Sequence, residues 1–202
     1  MKNNRNKYNY KAKIRAFTLA ETLIVLSIIG VLALIMLSNL QNATPDKNKA
    51  LFKKAYSIVE RTVAELVNDE NFYPYDPNRI GFLNTDVVQI PGTTQAAEGD
   101  TKLCSLFTNK LNLLGEVKYE DNSCKFETTD GMYWIMPTGI DDFSDKKTIT
   151  VDINGLDKKP NSAEGDDRDT FSIHIYSDGR VNVTGEKEIE YLKSHSVKTE
   201  KK

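Results

Sequence analysis

Hydrophobic and polar positions divide this chain into regimes. From Thr22 to Leu40 there is no charged residue, and Leu, Ile, Val, Ala and Met dominate. At a rise of about 1.5 Å per residue, such a run makes a helix of roughly 28 Å, enough to cross bilayer hydrocarbon. It is apolar on every side, as a membrane or fibre-core helix must be. From Leu51 the pattern becomes amphipathic. Phe52, Ala55, Val59, Val63 and Leu66 recur at spacings of three or four, with Ile58 alongside, while Lys53, Lys54, Glu60, Arg61 and Glu65 fall on other faces. One long helix is therefore predicted over residues 17–68, with its second half packed on a sheet. Thr44-Pro45-Asp46 punctuates it. Either Thr44 caps a new helix with Pro45 at its first position, or a continuous helix bends there.

Beyond the helix the period changes. Residues 71–91 read as loop, and 89–101 as a polar, exposed excursion. Residues 103–114 predict a short second helix ended by Gly115. Strands are predicted at 118–120, 124–128, 132–136, 148–153, 170–176 and 181–183, from β-branched content and alternation. Asp130-Gly131 and Asp178-Gly179 are tight-turn signals, and the hairpin around Ser177–Arg180 is the clearest local feature. Residues 186–202 are charged and apolar-poor, which predicts a frayed helix or a flexible tail. The fold class expected is α+β, with a long N-terminal helix packed on a small antiparallel sheet.

Charge refines this picture at the N-terminus. Lys2, Arg5, Lys7, Lys11, Lys13 and Arg15 precede the apolar run with no acid among them, which fixes that end in the cytoplasm. Glu21 stands at the edge of the run, where a carboxylate inside hydrocarbon would cost about 2.5–3.5 kcal/mol. An ordinary secretory signal explains neither the acid nor the length of the run, and no Ala-x-Ala site follows it. Over the whole chain 27 Lys and Arg face 29 Asp and Glu, a net charge of −2. A general nucleic-acid binder would show a basic surplus, so nucleic acid is not an expected partner.

Ala16, Phe17, Thr18, Leu19, Ala20 and Glu21, behind a basic leader and ahead of the apolar run, resemble the cleavage and methylation signature of type IV prepilins and type II secretion pseudopilins. Gly30 falls where that family carries a helix glycine. The family has Gly before the scissile bond, and this chain has Ala16, also small. The resemblance implies that residues 1–16 are a leader removed by prepilin peptidase between Ala16 and Phe17. The new Phe17 amine would be N-methylated. Residues 17–44 would anchor the protein in the inner membrane and later line a filament core. Residues 45–185 would form an extracytoplasmic pilin-like domain, leaving residues 186–202 as the tail. It also implies that Glu21 guides assembly by pairing with the N-terminal amine of a neighbouring pilin or pseudopilin subunit.

Three further expectations follow. In an oxidising exported compartment Cys104 and Cys124 would form a disulfide, the alternative being two packed thiols. Asp152-Ile153-Asn154-Gly155 resembles the opening of a calcium loop, with further oxygens at Asn161, Asp166, Asp167 and Asp169. Calcium binding by some pilin-like proteins makes Asp152, Asn154, Asp167 and Asp169 a candidate Ca2+ set. Ala163 stands where an EF-hand would place its Glu, and the alternative is a turn in which Asp and Asn serve their own backbone. No catalytic motif occurs: His174 and His195 lack partners at metal-ligand spacing, and Asp141, Asp142 and Asp145 read as a solvated turn. The chain is thus expected to be a structural subunit and not an enzyme. Two other readings stay open: a minor pilin-like, membrane-anchored binding module for DNA or exported substrate, and an exported hydrolase with an uncleaved anchor.

Overall fold

The structure, a computed structural model, describes residues 18–43, 47–139, 143, 145–165 and 168–193, with side chains of the first helix described as far as Ala33. The chain separates into two compact units, residues 1–44 and 45–202. The first holds helix α1, Leu19–Ala43. Its apolar side chains from Leu19 to Leu32 all stand exposed. Among the described residues no helix is long and apolar enough to cross a membrane. The uncharged run itself continues to Leu40, past the last described α1 side chain. The predicted break at Thr44-Pro45-Asp46, the predicted leader 1–16 and Phe17 lie outside the described residues.

The second unit is built on helix α2, Lys47–Val67. The face set by the three–four spacing is the face that is buried: Phe52, Ala55, Val59, Val63 and Leu66, joined by Thr62. It covers a six-stranded antiparallel meander of β3 Lys118–Glu120, β4 Ser123–Glu127, β5 Tyr133–Pro137, β6 Lys147–Asp152, β7 Thr170–Ile175 and β8 Val181–Asn182. β4 and β5 alternate buried and half-buried positions, as a sheet with one covered face should. The register sets Phe126 opposite Trp134, Trp134 opposite Val151 and Val151 opposite Phe171, one apolar row across four strands. Phe126 and Trp134 stack with ring planes 9° apart, and the Trp134 indole N–H donates to Thr128 Oγ1 at 3.2 Å. Phe52 meets Phe171 at 4.7 Å between ring centroids, which fastens α2 to the row. The Asp178-Gly179 turn forms as expected: Gly179 adopts φ +85°, where a side chain would be strained and would strike Val67.

One predicted element is corrected and two are sharpened. The second helix, α3, runs Lys102–Asn109 and not to Leu114. Leu113 instead bridges Thr128, and the Leu114 N–H donates to Glu127 O at 2.8 Å, so strand pairing takes the chain out of the helix. The excursion at 89–101 is largely exposed, as expected, and with Val88 forms a small hairpin, β1 Val88–Gln89 with β2 Ala96–Ala97. Of the two forms expected beyond residue 185, residues 186–192 take the helical one: α4, Glu186–Leu192, with Tyr191 buried against Phe52 and Phe171. Residues 194–202 lie outside the described residues.

Candidate functional site

The chemistry at the start of α1 is built by Thr18, Glu21 and Thr22. Thr18 C=O accepts the first helical bond, from Thr22 N–H at 3.2 Å, which makes Thr18 the N-cap. The Glu21 N–H donates to Thr18 Oγ1 at 3.3 Å, and Glu21 Oε2 accepts the Thr18 N–H at 2.8 Å and the Thr18 hydroxyl at 2.9 Å. This is a reciprocal capping box, which satisfies backbone donors the helix cannot pair itself. Glu21 therefore has a local role besides the pairing expected of it, one that the Thr-x-x-Glu spacing signals. Its Oε1 makes no hydrogen bond among the described residues. A Cβ added at Gly30 would meet nothing within 4 Å. A mid-helix glycine costs about 1 kcal/mol relative to alanine, and among the described residues no close contact requires it. Ala16 and Phe17 lie outside the described residues.

In the second unit the structure joins Cys104 of α3 to Cys124 of β4 in a disulfide, with Cα atoms 6.5 Å apart and no free cysteine. The bond ties the helix layer to the sheet.

The candidate calcium residues have structural duties. Asp152 Oδ1 accepts the N–H groups of Asn154 at 3.2 Å and Gly155 at 2.9 Å, a turn closed by its own aspartate. Asp169, fully buried, accepts Ser162 N–H on Oδ1 at 2.8 Å. Its Oδ2 accepts Asn161 N–H at 3.0 Å and Asn154 Nδ2 at 2.9 Å. Its carboxylate thus cinches both ends of the 154–162 loop. Burial raises the Asp152 carboxyl above its usual range, and the neighbouring Asp169 charge adds to this. Asn154 Oδ1 is buried and has no hydrogen-bond partner among the described residues. Asp167 lies outside the described residues, and among those described no group of three His, Cys, Asp or Glu side chains is placed to hold a metal ion.

His174 is buried between two hydroxyls, 2.9 Å from Thr148 Oγ1 and 2.9 Å from Thr184 Oγ1. Burial holds its pKa below the ordinary histidine value, so the arrangement is that of a satisfied core histidine. Asp145 is exposed; Asp141, Asp142 and His195 lie outside the described residues. Two buried groups had no sequence signal. Lys102 donates to Asn84 O at 3.2 Å and lies 4.5 Å above the Tyr73 ring, and burial pushes its ammonium down to about 8. Arg168 pairs with buried Glu188 at 3.1 Å, linking the acidic loop to α4.

A capped apolar helix bearing one acid, joined to a disulfide-tied α+β domain, is the class of object these observations define. Residues 11–37 match the family model described as the prokaryotic N-terminal methylation motif, which is the prepilin-type signature. No curated protein and no solved structure matches the chain.

Proposed function

We propose that this chain is a structural subunit of a type IV pilus or a type II secretion pseudopilus. Prepilin peptidase would release it between Ala16 and Phe17 and methylate the Phe17 amine. The match at residues 11–37 carries this reading, and the geometry of α1 supports it. The uncharged run lets the subunit wait in the inner membrane with its domain outside. Assembly then transfers the helix from lipid into a bundle of its own kind. Lipid is as apolar as leucine, so burial alone drives no association there; close packing and specific polar contacts must do it. Gly30 offers the close approach, and Glu21 offers the polar contact. Paired with the methylated amine of a neighbour, the carboxylate loses the cost of isolation; an incorrect axial register leaves it unpaired. Removing one partner of a buried charge pair costs about 3–5 kcal/mol.

The experiment is Glu21→Ala in cells producing the full chain, with sheared surface filaments and membranes probed separately. The reading expects subunit in the membrane and none in filaments; normal filaments would end it. Major and minor roles separate by abundance, because a major subunit dominates the sheared fraction. A calcium ion held by Asp152, Asn154, Asp167 and Asp169 is a further part of this proposal, supported by the unpartnered Asn154 oxygen. The role proposed is structural and involves no chemistry on a substrate.

A further inference from the structure

The 111–119 segment, α3 and the β1–β2 hairpin enclose an open cleft of about 860 Å³, within the range of small-ligand sites. Its walls are braced. The disulfide fixes α3 to β4. The carbonyl of Asn112 accepts Thr129 N–H at 3.0 Å, and Asn109 Nδ2 reaches Pro91 O at 3.4 Å, holding the hairpin side to the helix side.

The lining has a distinct chemistry. Thr93, Gln95, Ser105, Asn109 and Asn112 bring hydroxyls and amides, and Glu116 is the one charged residue among the described ones that line it. No Lys or Arg is there to meet a phosphate, a nucleic acid or an acidic polymer. The side-chain amides of Gln95 and Asn112 make no hydrogen bond within the protein among the described residues, so both can donate and accept outward. Tyr119, on the edge strand β3, is about half exposed, and its hydroxyl is 3.1 Å from Ser105 Oγ, which fixes the ring. A fixed aromatic face beside uncharged donors and acceptors matches a ligand that is neutral, dense in hydroxyls and apolar along its C–H faces.

We propose that this cleft binds a neutral oligosaccharide, with Tyr119 stacking on a sugar ring and Gln95 and Asn112 bonding its hydroxyls. The cleft belongs to the second unit alone, so the proposal stands or falls independently of filament assembly.

Saturation-transfer NMR on the full chain in a sugar-free detergent tests it, with maltotriose, cellotriose and the fully N-acetylated chitotriose as neutral probes. Trigalacturonate serves as an anionic control and an uncharged Gly-Ser-Gln peptide as a polymer control. Transfer is expected to at least one neutral trisaccharide and to neither control. Asn112→Ala, at an exposed side chain, should weaken binding about tenfold, the loss of one or two neutral hydrogen bonds. Tyr119→Leu should weaken it at least as much, and Tyr119→Phe should retain most of it. The proposal is overturned by no transfer to any of the three sugars, by equal transfer to trigalacturonate, by binding of the peptide alone, or by unchanged affinity in both Asn112→Ala and Tyr119→Leu.

Discussion

Thr18 and Glu21 bond each other in both directions: the Thr18 N–H and hydroxyl donate to Glu21 Oε2 at 2.8 and 2.9 Å, and the Glu21 N–H donates to Thr18 Oγ1 at 3.3 Å. The pair fixes the carboxylate at the rim of α1 before any neighbour arrives. Replacing an N-cap threonine by alanine costs about 0.5–2 kcal/mol, less than leaving a buried charge alone. Thr18→Ala is therefore expected to lower filament yield partially, Thr18→Ser to restore it, and Glu21→Ala to abolish it. Quantitative immunoblots of sheared filaments give the order. Full assembly of Thr18→Ala would show that the cap does not position the acid.

The C-terminal helix is predicted to be part of the domain. Glu188 answers Arg168 at 3.1 Å, and Tyr191 closes the core over Phe52 and Phe171. Glu188→Ala leaves the Arg168 cation half-buried without its partner, a destabilisation of about 3–5 kcal/mol if the site behaves as a buried pair. A chain ended after Lys193 should melt well above one ended after Gly185. Equal melting temperatures for the two truncations would show that residues 186–192 add nothing to the core.

The loop cinched by Asp169 gives a paired test. Asp169→Ala strips the acceptor from three part-buried N–H donors and opens the loop at both ends, so thermal unfolding should shift downward. Calcium, if held in this loop, must raise the wild-type midpoint, and the rise must continue with the logarithm of calcium concentration above the dissociation constant. No shift under saturating calcium removes the ion from the account. Asp152→Asn separates the cases further: without calcium it relieves a buried charge beside Asp169 and should not destabilise at neutral pH, whereas with bound calcium it should abolish the rise.

These tests mark where sequence and structure part. The six strands of the meander were legible because alternation and the two Asp-Gly turns are local signals, and the α2 face was legible because a helix repeats its burial every three or four residues. β1 and β2 were not, since two-residue strands such as Ala96-Ala97 carry no period. Glu188 reads as solvent-facing until Arg168, twenty positions earlier, is brought beside it. The Asp-x-Asn-Gly acid is ambiguous in sequence because closing a turn and holding a cation use the same oxygens. Lys102 could not be foreseen at all, because its partners are a backbone carbonyl and a ring face.

Lys102 also yields a pH prediction. Its native pKa lies near 8, below its ordinary 10.5, because of burial. Between those values the unfolded chain holds a proton that the native chain has released, so stability rises with pH across that window. Lys102→Met should remove this rise, visible as a flatter plot of melting temperature against pH from 7 to 10. An unchanged slope in the variant would assign the effect to another group.

Mass spectrometry of the protein extracted from membranes tests the central claim most directly. The account predicts a mature chain beginning at Phe17, heavier by one methyl group on its terminal amine. A chain that begins at Met1, or one cut beyond Leu40, would contradict it.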